Sequence, residues 1–379
     1  MSGSDVAATT QASAGADGGR RPATLMVHLL GRCNLTCRHC YMEGSPQRRE
    51  QLPLEAVLRA VEESAALGVG TLYLTGGEPL LYRGFSDILR ASTQIPGLET
   101  TVCTNATLVK GRHAELLTDS RARVNVSIDG NEEFHDYFRC LQGAFRAAED
   151  GVRILVDAGL EVTIVTTISQ SNLHMLADIA QWAAGIGAAE FRVQPLLRLG
   201  RGIGIADQRL TSVQLNELVM TLSDLANRYR PGLKCGVIGV TRRYLLAHPC
   251  AAYVCNGAGC HRRVAREIKK VVIREDGTVL PEVTNLSHDF ALGNITDGPL
   301  SHLVARYFEN GYERFDRLCR TTYAETVQQW GDVVVPWDQI VAARSYTWRD
   351  EVAATDVESP CGKGCLAGAG ATLVRADRG

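Results

Sequence analysis

The chain has 379 residues, and 40 Lys and Arg against 42 Asp and Glu leave a formal net charge of -2, with 45% of residues apolar. At roughly 100–200 residues per domain this is enough chain for two cores. The near-zero balance excludes a nucleic-acid binder held by a broad basic surface, and no apolar run approaches the roughly 18 residues of a membrane-spanning helix.

Residues 1–21 are rich in Ser, Ala, Gly, Thr and Asp, lack an apolar signal core, and read as a disordered tail. Apolar and β-branched runs then predict six strands, over Thr24–Leu30, Thr71–Thr75, Glu99–Cys103, Val124–Ile128, Val162–Ile168 and Phe191–Leu196. Helix-period stretches lie between them. One follows Pro53 with Leu54, Val57, Leu58 and Val61 on one face, and others cover Phe85–Ala91, Phe145–Ala158 and Leu173–Ala184. Alternation of this kind implies parallel βαβ units with right-handed crossovers. Six units are too few for a closed eight-fold barrel and suit a partial one, whose chemistry belongs at the C-terminal ends of the strands. Thr211 and Gln214 form a capping-box pattern at the head of a helix with Leu215, Leu218, Val219, Leu222 and Leu225 as its stripe. Beyond Tyr229–Gly232 the βα rhythm is lost. The expected organisation is an α/β partial (β/α)6 TIM-like barrel over 22–210, a linking helix over 211–232, and a small irregular α+β domain over 233–379.

The 12 Cys are the compositional feature that needs explaining. In the cytoplasmic setting expected for a chain without targeting signals, thiols serve metal or redox chemistry more often than structural disulfides. Cys33, Cys37 and Cys40 stand in a C-x3-C-x2-C run on the loop after the first strand. Three close thiolates can hold three irons of a cubane and leave the fourth iron open to a ligand. The competing reading is a zinc knuckle completed by His39 or a distant Cys.

This run, with the aromatic Tyr41 after its last Cys, resembles the cluster motif of the radical S-adenosylmethionine (SAM) superfamily. Further motifs follow in that family's order between about Thr24 and Gly200. Gly76-Gly77-Glu78-Pro79 is similar to the GGEP segment that contacts the methionyl amine of SAM, and its chemistry suits that role, since glycines admit close backbone approach and carboxylates or carbonyls accept from an ammonium. Cys103-Thr104-Asn105-Ala106 resembles a TNG-type loop with Ala106 in place of Gly. Ser127 and Asp129 resemble the fourth-strand residues lining the SAM carboxylate and ribose. His135-Asp136-x-x-Arg139 matches an HD-x-x-R motif, with Cys140 where Gly is usual. Gln194 sits where the family places adenosine contacts, and one of Thr166 and Thr167 must face the barrel interior. Taken singly, several of these read equally as turns, a helix start or satisfied core residues. Cys103 and Cys140 are expected to be buried as small hydrophobes.

Seven more Cys follow the barrel. Their arrangement, with a hairpin expected around Asp276-Gly277 and a Leu292-Gly293-Asn294 segment, resembles a partial SPASM or "twitch" auxiliary-cluster extension. Cys260 fits its first position, Cys361 and Cys365 its final pair, and Cys319 the start of its last run. Glu282 stands where a Cys is usual, and Thr322 replaces another. The resemblance implies one auxiliary [4Fe–4S] cluster drawn from Cys255, Cys260, Cys319, Cys361 and Cys365, with Glu282 as a candidate oxygen ligand; a structural zinc is the alternative.

Together these resemblances imply an oxidoreductase or maturase in natural-product biosynthesis. A [4Fe–4S] cluster on Cys33, Cys37 and Cys40 would bind SAM and cleave it to a 5′-deoxyadenosyl radical that abstracts a substrate hydrogen. The favoured substrate is a ribosomally made peptide undergoing crosslinking or a related oxidation. A small metabolite is the second reading, and a non-catalytic metal scaffold the third. A flavodoxin- or ferredoxin-type reductant and a separate peptide-recognition protein are the implied partners.

Overall fold

The computed structural model describes residues 23–247, 249, 252, 269–327, 331 and 333–349. Strands β1 (Ala23–His28), β2 (Val69–Thr75), β3 (Glu99–Thr104), β4 (Arg123–Ser127), β5 (Val162–Ile168) and β6 (Glu190–Pro195) fall on the six expected runs. Helices α1 (Leu54–Glu63), α2 (Phe85–Thr93), α5 (Ala144–Asp157) and α6 (Leu176–Gly185) fall on the expected helical stretches. The start of the last one differs: Leu173–Met175 is a 3-10 turn, and the α-helix begins only at Leu176. Two short helices, α3 (Gly111–Asp119) and α4 (Glu132–Arg139), fill crossovers that the periodicity did not mark in full.

Each of β1 to β6 pairs in parallel with its successor, as the βαβ reading requires. The sheet then grows at both edges. β7 (Lys234–Val237) adds in parallel to β6, and β9 (Lys270–Ile273) adds in parallel to β1, Thr24 lying opposite Lys270. β10 (Thr278–Pro281) and β11 (Gly293–Asn294) follow β9 as antiparallel strands, giving the order β11-β10-β9-β1-β2-β3-β4-β5-β6-β7. The hairpin expected around Asp276-Gly277 is therefore present, and it continues the barrel sheet. A separate ribbon pairs β8 (Val240–Thr241) with β12 (Val334–Val335).

Arg192 on β6 and Tyr73 on β2, strands four places apart in the sheet, are close enough to interact electrostatically. Only a strongly curved sheet brings two such side chains together across its hollow, as in a barrel. The outer face of the strands is apolar and closed, with Leu72, Leu74, Val102, Val124, Val126 and Ile164 all fully buried. The linking helix α7 (Ser212–Arg228) starts with the expected capping box, Thr211 Oγ1 accepting from Gln214 N and Gln214 Oε1 from Thr211 N. Its stripe residues Leu218, Leu222 and Leu225 join a core that runs from Leu25 to Trp348.

Beyond the barrel lie α8 (Arg242–Ala247), α9 (Leu300–Asn310), α10 (Tyr312–Thr322) and α11 (Trp337–Ser345). Two polar contacts pin this part to α1: Arg59 Nη2 donates to Ile295 O at 3.0 Å, and Glu63 Oε2 accepts from Ser301 N at 2.7 Å. Among the described residues no helix is long and apolar enough to cross a membrane.

Candidate metal and cofactor site

β1 delivers the cysteine loop to the C-terminal mouth of the barrel. Cys33 and Cys37 are buried and Cys40 half-buried, and with Leu35 they form an apolar cluster apart from the main core. Two sulfurs accept backbone N–H groups, Cys33 Sγ from Leu35 N at 3.4 Å and Cys40 Sγ from Gly44 N at 3.3 Å. Burial pushes the Cys33 thiol up to about 12 and the Cys37 thiol up to about 11. Such thiols stay protonated unless a metal takes their charge, and coordination deprotonates them outright. Among the described residues no three His, Cys, Asp or Glu side chains converge closely enough to hold one ion. Three close thiols are a donor set that a multi-iron cluster can use.

The segment after β2 closes on this loop from below. Gly77 N donates to Leu30 O at 2.7 Å and Glu78 N to Arg32 O at 3.0 Å. A side chain at Gly77 would put a Cβ 2.1 Å from Arg32 O, and one at Gly76, where φ is +134°, a Cβ 2.6 Å from Leu30 O. The glycines thus serve the approach of two protein backbones, a demand the sequence reading assigned to the ligand. Glu78 is completely buried and caps the turn at Pro79, accepting from Leu80 N at 3.2 Å. Its carboxylate also accepts from Thr104 Oγ1 at 2.7 Å and Asn105 N at 2.9 Å. Burial raises its pKa, against these hydrogen bonds. Glu78 is therefore a joint between the β2 and β3 loops, with most of its accepting capacity spent inside the protein.

Asn105 continues the joint to the cysteines. Its Nδ2 donates to Asn34 Oδ1 at 3.0 Å and lies 3.9 Å from Cys33 Sγ, while its Oδ1 accepts from Thr107 Oγ1 at 2.6 Å. Ala106 adopts φ +59°, the left-handed conformation that glycine takes most easily.

On the far wall, Asp129 follows β4 and is fully buried. Arg139 donates to its Oδ2 from Nε at 2.9 Å and Nη2 at 2.8 Å, and Thr167 N donates to its Oδ1 at 2.9 Å. Burial opposes the charge of Asp129, but Arg139 and the neighbouring His39 and His135 outweigh it and hold the carboxyl below its usual value. His39 Nε2 lies 3.6 Å from Asp129 Oδ2, and the ring stacks on Phe138 at 4.2 Å. His135 Nδ1 accepts from Asp129 N, and Asp136 accepts from Gly143 N at 2.6 Å and Phe145 N at 2.8 Å, holding the start of α5. Ser127, Thr167 and Gln194 share one face, since Ser127 is registered with Val165 and Thr167 with Gln194. This is the face of Arg192, so all three line the barrel hollow near its mouth; Thr166 points the other way and donates to Ile128 O. Tyr41 meets His28 edge-on at 6.1 Å.

Arg201, which no motif singled out, returns from the β6 loop onto the cysteine loop. The only signal for it in the sequence is its place between Gly200 and Gly202. Cys103 is half-buried beside Asn125, whereas Cys140 is exposed, contrary to the expectation for it. Cys140 ends α4 at φ 56°, ψ 37°, so its backbone does the helix-terminating work of a glycine and its side chain is left outside. In the auxiliary region Cys319 is buried on α10 and senses the charge of Glu282, which is half-buried in a left-handed conformation at φ 58°. Cys255, Cys260, Cys361 and Cys365 lie outside the described residues.

A curved parallel sheet whose first loop carries three close thiols, clasped by a glycine-rich turn, defines a barrel protein with a candidate metal site at its mouth. Residues 27–183 match the Radical SAM superfamily. That superfamily uses a [4Fe–4S] cluster and SAM. The chain is 29% identical over 203 residues to the sporulation killing factor maturation protein SkfB of Bacillus subtilis, covering 52% of this chain and 49% of that protein. It is 31% identical over 193 residues to the AdoMet-dependent heme synthase of Nitratidesulfovibrio vulgaris, covering 49% and 52%. The chain thus spans about half the length of the curated relatives it matches. In fold it is similar to Streptococcus suis SuiB bound to S-adenosylmethionine, with a TM-score of 0.63 and 17% identity over 78% of this chain and 68% of that one. SuiB is also known bound to the precursor peptide SuiA.

Proposed function

We propose that the chain is a radical SAM maturase in which Cys33, Cys37 and Cys40 hold the cluster and the surrounding loops hold SAM. The observation that supports this best is the junction of the cysteine, Gly76–Pro79 and Asn105 loops into one hydrogen-bonded unit at the mouth of a polar barrel hollow. When bound, the cluster and SAM supply a 5′-deoxyadenosyl radical that takes a hydrogen atom from the substrate. The protein fixes three thiols, walls the site from water with an apolar pocket, and presents Ser127, Gln194 and Tyr41 toward the hollow, where Asp129 and Arg139 brace the wall. Pre-set polar groups of this kind orient a bound molecule at little cost in reorganisation.

In this reading 22–210 is the catalytic barrel and 233–379 carries one auxiliary cluster, with Cys319 among its ligands. The substrate is a ribosomally made peptide, and the electron comes from a flavodoxin- or ferredoxin-type donor. The name of SkfB and the SuiB-like fold support the peptide; the heme synthase supports the alternative of a small metabolite. Anaerobic reconstitution with iron and sulfide, then dithionite and SAM, is expected to yield 5′-deoxyadenosine in the wild type and none after Cys37→Ala. No product in the wild type, or full product in the variant, refutes the radical reading. Co-expression with short open reading frames adjoining the gene then separates the substrates: a peptide that loses two hydrogens by mass spectrometry supports maturation.

A further inference from the structure

We infer that Arg201 is a positioning residue of the cysteine site: it fastens the loop through three carbonyls and sets beside it an unpaired positive charge that raises the potential of the bound cluster. The inference rests on the metal-site reading above.

One residue takes three acceptors from the eight-residue span that carries Cys37 and Cys40. Arg201 Nε donates to Cys37 O at 2.7 Å, Nη2 donates to Gly44 O at 2.9 Å, and the backbone N donates to Cys40 O at 3.0 Å. Gly44 is the same residue whose N–H points at Cys40 Sγ. The guanidinium therefore fixes both the carbonyl of one cysteine and the residue whose N–H meets the sulfur of another. The approach is so close that a Cβ at Gly200, where φ is +52°, would sit 2.5 Å from Cys40 O. At Gly202 it would sit 2.4 Å from Leu197 O. The two glycines are what let the arginine reach the loop.

Two guanidinium groups lie near Cys37, those of Arg139 and Arg201. They differ in their counter-charges. Arg139 is ion-paired with Asp129 at 2.8 Å. Arg201 has no carboxylate partner among the described residues; its guanidinium faces carbonyls only. A cluster that gains an electron becomes more negative, and a fixed, half-buried cation favours that form, because net charge and nearby donors set cluster potentials. Of the two, Arg201 is the one whose charge is not already cancelled.

The test uses the full chain, reconstituted anaerobically, with iron and sulfide counts and a redox titration followed by electron paramagnetic resonance in the absence of SAM. Arg201→Lys keeps the charge and loses the fork, so iron is expected to leave faster to a chelator while the potential stays at the wild-type value. Arg201→Gln removes the charge. At the potential that half-reduces the wild type, its reduced-to-oxidised ratio should fall at least threefold, which is about 28 mV at 59 mV per tenfold for one electron. An unchanged potential in Arg201→Gln, or an equal shift in both variants, overturns the inference. Should Arg201→Gln hold no iron, Arg201→Lys decides: the wild-type potential supports the charge effect, and an altered one overturns it. Failure of the metal-site reading looks different, since the wild type would then take up no more iron than a Cys33/Cys37/Cys40 triple Ala variant.

Discussion

Gly77→Ala is the substitution with the sharpest consequence. The added Cβ would meet Arg32 O at 2.1 Å and Gly31 O at 2.8 Å, both backbone atoms that cannot swing aside, and Cβ contacts below 3.0 Å are essentially never seen. The turn and the cysteine loop must therefore part until the shorter distance passes 3.0 Å. That movement breaks the Gly77 N to Leu30 O bond of 2.7 Å and strains the Glu78 N to Arg32 O bond of 3.0 Å. Leaving such groups unpaired costs about 1–3 kcal/mol each, so a loss of about 2–6 kcal/mol is expected. Gly97→Ala is the control: its φ of +77° strains an alanine, but nothing lies within 4 Å of the new methyl. Left-handed strain alone costs about 1–2 kcal/mol. Urea unfolding of the metal-free proteins, followed by circular dichroism, should place Gly77→Ala well below Gly97→Ala in midpoint, and iron uptake should fail in Gly77→Ala alone. Equal midpoints with normal iron uptake would show that the glycine pair is not needed for the approach of the loops.

Cys140→Gly relieves a left-handed residue on an exposed helix end and should raise stability by about 0.5–1 kcal/mol, offset only by the freer unfolded chain; a lower unfolding midpoint would contradict the cap assignment. Asp136→Ala removes the acceptor of Gly143 N and Phe145 N and should cost about 2–3 kcal/mol, with Asp136→Asn recovering part of it in the same assay. His28 is buried and neutral, its pKa pushed down to about 3 by burial first and by Arg274 and Lys270 next. Between its ordinary value near 6.5 and about 3 the unfolded chain binds a proton that the folded chain refuses, so stability falls as pH drops through that window. His28→Gln should flatten the acid limb of a stability-against-pH curve of the metal-free protein, and an unchanged slope would sink this assignment.

Much of the barrel was legible because its signals are local. A β-branched run such as Val162–Ile168 declares a strand whatever it packs against, and Thr211 with Gln214 declares a helix start within four residues. The cysteine loop and the Gly76–Pro79 turn were legible as motifs, but their mutual grip was not, because it depends on carbonyls that any sequence possesses. Arg201 was invisible for the same reason: it binds the backbone of Cys37 and Gly44, so no side-chain partner advertises it. Glu78 shows a subtler gap. Its position was right for a ligand-facing carboxylate, yet Thr104 and Asn105 claim it, and only the fold brings those donors near. Cys140 was misjudged because residue type suggested burial where backbone conformation set the requirement.

The pairing of β9 with β1 also bears on how the protein can be made. At about 5–20 residues per second, a ribosome that has finished β1 needs roughly 12–50 s to reach the residues that cover it. Throughout that interval the nascent barrel shows a bare strand edge, with Thr24 to Val27 awaiting Lys270 to Ile273. Exposed edges of this kind recruit other chains. A protein truncated at the end of α7 would carry the same bare edge permanently, so expression of the barrel alone is expected to end in aggregates, and slower growth temperatures or chaperone supply should matter most during this one step of synthesis.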